Sequence, residues 1–115
     1  MINFQDIKDA HQRIKAHINP TPVLHSSQLN QWLGHDIYFK AEVLQKVGAF
    51  KARGGCHAVQ LLKEQHPDLK RVVANSSGNH AQAIAWAAQQ LGIPATIYMP
   101  SFASQVKAQA TRAYG

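Results

Sequence analysis

The second half of the chain alternates short apolar runs with amphipathic segments, and this alternation limits the possible folds more than any other feature. Residues 71–75 and 95–99 are short apolar runs typical of strands, and residues 79–91 between them carry apolar side chains at helical spacing. A second helical segment runs from a potential cap at Ser104 through Tyr114. The β-α-β-α order predicts an α/β fold whose parallel sheet is built with right-handed crossovers.

The first half of the chain predicts two helices and one strand. Four apolar residues recur at helical spacing near the start: Ile7, Ala10, Ile14 and Ile18. Asn3 is suited to cap this helix, and the prolines from Pro20 onward end it. A short second helix is predicted to begin at a cap, either Ser26 or Ser27, to carry Leu29, Trp32 and Leu33, and to end at Gly34. The alternation over residues 36–42 predicts a strand.

The composition excludes several classes of partner. The net charge of +6 is spread along the chain, and no basic run is longer than Lys70–Arg71, so we expect neither nucleic-acid nor membrane-surface binding. The longest apolar stretch, residues 83–88, is far shorter than the ~20 residues of a membrane-spanning helix. The start of the chain shows no signal-peptide pattern, and Cys56 has no second cysteine to pair with. We therefore expect a cytoplasmic protein with one modest core.

A lysine beside an aromatic ring and several glycines makes residues 47–55 a candidate reactive segment. A free lysine has a pKa near ~10.4 and becomes a nucleophile only where its surroundings destabilise the ammonium form. Burial and the positive charge of Arg53 would both favour the neutral amine of Lys51. Phe50 could offer an apolar face to a planar ring, and the glycines could let the backbone approach a ligand. Taken alone, the motif is more often an exposed lysine in a glycine-rich loop.

The segment Ser76–His80 follows a predicted strand and opens a predicted helix, the place where parallel sheets bind ligands. Backbone N–H groups at a helix start attract carboxylate or phosphate. Asn79 could donate its amide to a phenolic oxygen, and Ser77 could exchange a proton with a substrate carbon. The same residue types also serve as ordinary helix caps and turn formers, so the segment alone leaves both interpretations open. None of the seven histidines has metal-site spacing.

The two motifs in this order closely resemble the fold-type II pyridoxal-phosphate enzymes, and more narrowly the threonine/serine dehydratase and serine racemase group. The resemblance covers nearly the whole chain. Besides Gly48–Gly54 and Ser76–His80, it includes further segments: Pro20–Leu24, Phe39–Glu42, Ile97–Pro100, Lys107 and Arg112–Gly115. It implies an incomplete three-layer αβα fold of the tryptophan synthase β-like type. Residues 1–51 would belong to the large domain, and residues 52–115 would form part of the small domain.

The resemblance also implies a role for each site residue. Lys51 would be the Schiff-base lysine for pyridoxal 5′-phosphate and the base that removes the substrate α-proton. Phe50 would pack against the pyridine ring, and Asn79 would hydrogen-bond the cofactor's 3′-oxygen. The backbone amides of Ser77, Asn79 and His80 would hold the substrate carboxylate. Ser77 would be the acid/base on the opposite face, and no metal ligand is implied.

The implied activity is the deamination of a 3-hydroxy amino acid (threonine, serine or hydroxyaspartate) to a 2-oxo acid and ammonia. A serine racemase-type isomerase is the alternative within the family, and a non-catalytic remnant or partner subunit is a further one. A nucleotide-binding α/β module would use Ser76–His80 as its phosphate site. That interpretation is disfavoured, because the chain has neither Gly-x-x-x-x-Gly-Lys-Ser/Thr nor Gly-x-Gly-x-x-Gly.

Two departures from the family pattern affect these expectations. Ala49 stands where the group usually has serine, and Val47 stands where it often has threonine, which leaves the substrate preference open. Family members are several-fold longer, and their glycine-rich phosphate loop lies beyond the part that resembles this chain. We therefore expect the 115 residues alone to be neither a stable domain nor a competent enzyme. A longer version is expected to be a homo-oligomer.

Overall fold

The structure, a computed structural model, describes all 115 residues. Five helices, four short strands and two 3-10 helices follow one another along the chain. Their bounds are α1 Phe4–Ile14, β1 Val23–Leu24, α2 Ser27–Leu33, β2 Phe39–Lys40, the 3-10 helices Glu42–Leu44 and Lys46–Gly48, α3 Lys51–Gln65, β3 Val72–Asn75, α4 Asn79–Gln90, β4 Ala95–Tyr98 and α5 Gln105–Arg112.

Two separate pairs of strands form the sheets. Strands β1 and β2 are antiparallel, and β3 and β4 are parallel, with Val72 opposite Ala95 and Asn75 opposite Tyr98. Helix α4 connects the two parallel strands and packs against both. The predicted α/β class and the parallel pairing of the second half are therefore confirmed.

Local hydrogen bonding explains where the first two helices begin and end. The Asn3 side chain accepts from the backbone N–H of Asp6 at 3.1 Å, and the Asp6 carboxylate accepts from the Asn3 N–H at 2.7 Å, which makes a reciprocal capping box. Ser26 caps α2 in a similar way by accepting from the Leu29 N–H. Gly34 ends α2 with a left-handed φ of 66°. The predicted cap at Asn3 and stop at Gly34 are confirmed.

The structure shortens two predicted elements in the first half. Helix α1 ends at Ile14 instead of continuing to Ile18, although Ile18 is still buried. The strand predicted over residues 36–42 pairs only at Phe39–Lys40, because its partner β1 offers just two residues. A strand needs a neighbour to satisfy its backbone groups, and the chain after Ala41 turns into a 3-10 helix instead.

The lysine segment is helical, so the expectation of a glycine-rich loop or turn after Lys51 is wrong. Helix α3 begins at Lys51 and contains both Gly54 and Gly55. A Cβ on Gly55 would lie 3.0 Å from the Ala83 Cβ and 3.1 Å from the Ala83 carbonyl oxygen, whereas a Cβ on Gly54 would meet nothing within 4 Å. Gly55 therefore allows α3 and α4 to pack closely, and it is not free to approach a ligand.

The core joins the two halves of the chain. Its buried side chains come mainly from α3 and α4, with further ones from the end of α1 and the chain after it, from β3 and from the turn before β4: Ile14, Ile18, Ala52, Cys56, Val59, Val72, Ile84, Trp86, Ala87, Ala88 and Ile93. Trp86 is a core residue, but Trp32 is 77% exposed. Because the core includes residues from both sides of position 51, the division into segments 1–51 and 52–115 stays a prediction.

Strand β3 is covered on one face only, although a short apolar run such as residues 71–75 predicts a buried strand. Val72 is 4% exposed, while its neighbour Val73 is 62% exposed. Successive side chains of a strand point to opposite faces, and here only the face of Val72 packs against the core. Of the implied three-layer αβα arrangement, this structure contains the parallel strand pair and the helical layer on one of its faces.

The close contact of α3 with α4 generates the first prediction, which uses the two adjacent glycines as a matched pair. Gly55→Ala should lower the free energy of unfolding by about 1–3 kcal/mol, because the new methyl group meets the Ala83 backbone. Gly54→Ala should be neutral or raise it by about 0.4–1 kcal/mol, because the site is open and alanine restricts the unfolded chain. Urea unfolding followed by helical circular dichroism measures both, in this chain or in a longer protein that contains it. Equal effects at the two positions would contradict the packing role of Gly55.

Candidate active site

The contact between α3 and α4 brings the two sequence motifs together. Gly55 is four residues after Lys51, and Ala83 is four residues after Asn79, so each helix begins about 6 Å along its axis from the contact. With helix axes about 8–10 Å apart, the two helix starts lie within roughly 16 Å of each other whatever the crossing angle. This separation is compatible with the expected association of the lysine segment with the Ser76–His80 turn, which stays a prediction.

Lys51 is exposed at the first position of α3, which corrects the expectation that it is buried. Its Nζ lies 5.1 Å from the centroid of the Phe50 ring, within the range of a cation–π contact. The Phe50 ring is itself 60% exposed. A primary amine and an accessible aromatic face thus stand side by side.

Arg53 does not act on Lys51 as a free positive charge, which corrects a second expectation. Its Nε donates to Glu42 Oε2 at 2.8 Å, and its Nη2 donates to Glu42 Oε1 at 2.7 Å. Nη2 also donates to Thr21 Oγ1 at 3.2 Å, and Thr21 Oγ1 donates to Glu42 Oε1 at 2.5 Å. The guanidinium charge is compensated by a two-pronged ion pair on the side of Glu42.

This network fixes the start of α3 to the first half of the chain. The hydrogen bonds from Arg53 lower the pKa of Glu42 to about 2, and the hydrogen bond from Thr21 contributes to this decrease. Burial acts in the opposite direction but has a smaller effect. The same ion pair raises the pKa of Arg53. Lys40 Nζ adds a further link by donating to the Thr21 carbonyl. Glu42 and Thr21 entered the resemblance only as parts of longer segments, and their pairing with Arg53 could not be predicted, because residues on separate elements show no spacing that reveals it.

The backbone before Lys51 is strained. Val47 has a φ of 55°, in the left-handed region that β-branched residues rarely adopt, and Gly48 follows with a φ of 66°. The buried Gln45 side chain supports this bend: it accepts from the Asn19 N–H and donates to the Asn19 carbonyl, both at 2.8 Å. Strained backbone held by surrounding contacts is typical of functional sites.

The Ser76–His80 turn offers unpaired backbone donors. Ser76 continues the parallel ladder by donating to the Tyr98 carbonyl at 3.1 Å, and its Oγ accepts from the Gly78 N–H at 3.2 Å. Gly78 precedes α4, and no side chain caps this helix. The N–H groups of the first helical turn therefore have no protein acceptor, and they carry the positive end of the helix dipole. An anion-binding role fits this geometry better than the capping interpretation.

Three exposed residues of this turn are the ones named from the sequence: Ser77, Asn79 and His80. Lys107 reaches the same turn from α5, since its Nζ lies 4.0 Å from the position of a Cβ on Gly78. It adds a positive charge beside the unpaired amides. From the sequence, Lys107 could be named only as part of the resemblance, because no local pattern connects it with the turn.

The residues fit a ligand that carries both a carbonyl group and an anionic group. An exposed amine beside an aromatic ring can hold an aldehyde on a planar ring, and the unpaired amides of α4 can hold a carboxylate. No cluster of three or more His, Cys, Asp or Glu side chains offers a metal-binding set. None of the helices has the length and apolar character needed to span a membrane.

Comparison with known proteins agrees with this chemistry. Residues 14–115 match the family described as "Pyridoxal-phosphate dependent enzyme". The chain belongs to this family. Its enzymes use pyridoxal 5′-phosphate as their cofactor. The resemblance inferred from the Gly48–Gly54 and Ser76–His80 motifs is thereby confirmed.

Individual relatives place the chain more narrowly. It is 53% identical over 112 residues to L-threo-3-hydroxyaspartate ammonia-lyase of Saccharomyces cerevisiae, covering 97% of this chain and 34% of that protein. It is 47% identical over 116 residues to serine racemase of Bos taurus, covering 99% of this chain and 35% of that protein. A crystal structure of a pyridoxal 5′-phosphate-dependent aspartate racemase superposes with a TM-score of 0.94 at 44% identity, covering 99% of this chain and 36% of that one. The chain thus spans about a third of the length of these relatives. Its fold matches the corresponding part of the aspartate racemase structure.

The Arg53–Glu42 pair generates the second prediction. Glu42→Gln should lower the free energy of unfolding at pH 7 by about 1.5–3 kcal/mol, the usual contribution of a hydrogen bond to a charged group. The folded-state pKa of Glu42 is lowered from 4.5 to about 2, so the pair contributes fully above about pH 4.5 and its contribution is lost as the pH falls towards 2. Urea unfolding at intervals between pH 7 and pH 2 measures the difference between the two proteins.

Glu64→Gln is the matched control for this prediction. Glu64 also pairs with an arginine, Arg13, but its side chain is 54% exposed, so solvent screens the interaction. We expect a smaller loss of stability than in Glu42→Gln. A Glu42→Gln effect that persists unchanged at pH 2 would show that the ion pair is not its source.

Proposed function

We propose that this chain is the lysine-bearing part of a pyridoxal-phosphate-dependent ammonia-lyase that converts a 3-hydroxy amino acid into a 2-oxo acid and ammonia. Threonine, serine and 3-hydroxyaspartate are the substrates of this class. The observation that carries the proposal is the packing of α3 on α4 at Gly55 and Ala83, which puts the helix start that bears Lys51 and the uncapped start of α4 on the same pair of packed helices. The similarity to a hydroxyaspartate ammonia-lyase supports it.

Lys51 is the residue we assign to both cofactor attachment and proton transfer. When bound, pyridoxal 5′-phosphate supplies an electron sink for the carbanion formed at the substrate α-carbon. Lys51 Nζ would hold the cofactor aldehyde and, once the substrate amine replaces it, accept the α-proton. The exposed ring of Phe50 would pack against the pyridine ring, and the Asn79 amide would donate to the 3′-oxygen.

The α4 turn is the part we assign to the substrate. The backbone amides of Ser77, Asn79 and His80 would donate to its carboxylate, and the dipole of α4 would stabilise the negative charge. Lys107 Nζ, beside Gly78, would add to this positive potential. With the carboxylate held there, the α-carbon is kept in a fixed orientation relative to Lys51. In the net reaction the substrate loses its 3-hydroxyl group as water, and water then releases ammonia to leave the 2-oxo acid.

Racemisation of serine is the second candidate, favoured by the similarity to serine racemase. It requires a second acid/base on the face of the α-carbon opposite Lys51. The exposed hydroxyl of Ser77 at the α4 turn is the group we assign to this role. Both activities share Lys51 and the carboxylate site, and they differ in the use of Ser77.

We further propose that a longer protein containing this chain is a cytoplasmic homo-oligomer. Large apolar side chains of the first half are exposed, among them Phe4, Ile7 and Trp32, and such surfaces are usually covered by further chain or by a second subunit. The lone Cys56 is consistent with a reducing compartment. We also keep the assignment of residues 1–51 to a large domain and 52–115 to a small one.

The third prediction tests the attachment residue. Addition of pyridoxal 5′-phosphate to a longer protein that contains this chain, followed by borohydride reduction and peptide mapping, should place the pyridoxyl group on Lys51. Lys51→Ala should abolish this labelling, and Lys46→Ala, a neighbouring lysine outside the assigned site, should leave it intact. A label on Lys40, Lys46 or Lys107 would refute the assignment of Lys51.

The fourth prediction separates the two candidate activities. Ser77→Ala should reduce serine racemisation by about 10²-fold or more, the usual effect of removing an acid/base group. It should reduce α-proton removal from the L-enantiomer much less, because Lys51 performs that step. Exchange of the α-proton in deuterated water, together with chiral analysis of serine, measures both rates. Ser104→Ala, a helix-start serine whose side chain makes no capping hydrogen bond, is the control. Equal loss of both activities would argue against separate roles for Ser77 and Lys51.

A further inference from the structure

A second cavity, away from the α4 turn, is lined by basic side chains. It has a volume of about 320 Å³ and lies between the end of α1, residues 19–21, β2 and the start of α3. Eight residues line it, and only one of them is hydrophobic. Four carry basic side chains: His11, Lys15, Lys40 and Arg53. No aspartate or glutamate lines the cavity.

The hydrogen bonds of two of these basic groups keep them in place and leave donors free. Arg53 uses its Nε and Nη2 for Glu42 and Thr21, so both N–H groups of its Nη1 have no protein acceptor. Lys40 donates one N–H to the Thr21 carbonyl and has two more. These cations are therefore held beside the cavity at little further entropic cost.

Helix termination explains only part of this cluster. His11 and Lys15 lie at the end of α1, where positive groups are favoured by the helix dipole. Lys40 and Arg53 come from other elements, so the dipole of α1 does not account for them. Lys15, Lys40 and Arg53 carry permanent positive charges, and Glu42 offsets that of Arg53 through their ion pair. The remaining like charges repel one another unless an anion lies between them.

We propose that this cavity binds a small anion with clustered negative oxygens, either a phosphate group or a polycarboxylate. Its volume is at the lower end of the range for ligand pockets, about 300–1,000 Å³. Its polar lining disfavours an aromatic or aliphatic ligand. A guanidinium edge and two ammonium groups match the geometry of oxyanions, and the bound anion would link α1, β2 and α3. This site is separate from the one that contains Lys51 and the α4 turn.

Titration calorimetry with inorganic phosphate and, separately, with citrate tests the proposal on this chain or on a longer protein that contains it. No pyridoxal phosphate is added, so the result does not depend on the proposed enzymatic activity. At least one anion should bind saturably and raise the melting temperature, while sodium chloride at equal ionic strength should not. Binding of phosphate alone identifies a phosphate site, and binding of citrate alone identifies a carboxylate site.

Variants of Lys15 locate the binding. Lys15→Gln should weaken the affinity about five- to tenfold, and Lys15→Arg should retain it, because the positive charge at the cavity remains. Lys70→Gln makes the same charge change outside the cavity and should have no effect. Circular dichroism checks that each variant is folded. The proposal is overturned if neither anion binds more than chloride does, or if Lys15→Gln and Lys70→Gln behave alike, as they would for an anion bound at the α4 turn.

Discussion

The close approach of α3 and α4 at Gly55 and Ala83 is the constraint on which the rest of the structure depends. There is no room for a side chain at Gly55, because its Cβ would lie 3.0 Å from the Ala83 Cβ. Other core residues of the two helices are also small, among them Ala52 and Ala87, which are almost completely buried. Since both contact residues lie one turn from a helix start, the packing that forms the core also limits the distance between the start of α3, which bears Lys51, and the start of α4.

The Thr21–Glu42–Arg53 network adds the second constraint. Packing alone leaves the start of α3 attached to the core through small side chains, whose contacts are not directional. The ion pair between Arg53 and Glu42 is directional, because two parallel N–H donors meet two carboxylate oxygens at 2.7 and 2.8 Å. Arg53 lies two residues after Lys51, so the network orients the helical turn that carries the lysine. The position of Lys51 is therefore constrained by two separate sets of contacts, the packing of α3 against α4 and the ion pair of Arg53 with Glu42.

The fold could be predicted where a local pattern determines structure, and not where a distant partner does. The cap at Asn3, the stop at Gly34 and the parallel pair β3–β4 follow from side-chain chemistry or periodicity within a few residues. The strand over residues 36–42 failed because its length depends on the two residues of β1. Gly54 and Gly55 predict a loop because glycine has a low intrinsic helix propensity, but the packing of α3 against α4 at Gly55 overrides this preference.

The charges in the candidate site also depend on partners that are distant in the sequence. That the two motifs share one site was implied by the resemblance alone, because only the Ser76–His80 turn follows a strand of the parallel pair. Whether the positive charge of Arg53 acts on Lys51 could not be predicted, because it depends on which partner Arg53 binds. Its Nε and Nη2 are directed to Glu42, a residue of another element, and its Nη1 remains free beside the basic cavity. One guanidinium thus connects the lysine-bearing helix to Glu42 and also lines the basic cavity, so an anion bound there, as we propose, would contact the same side chain that orients α3.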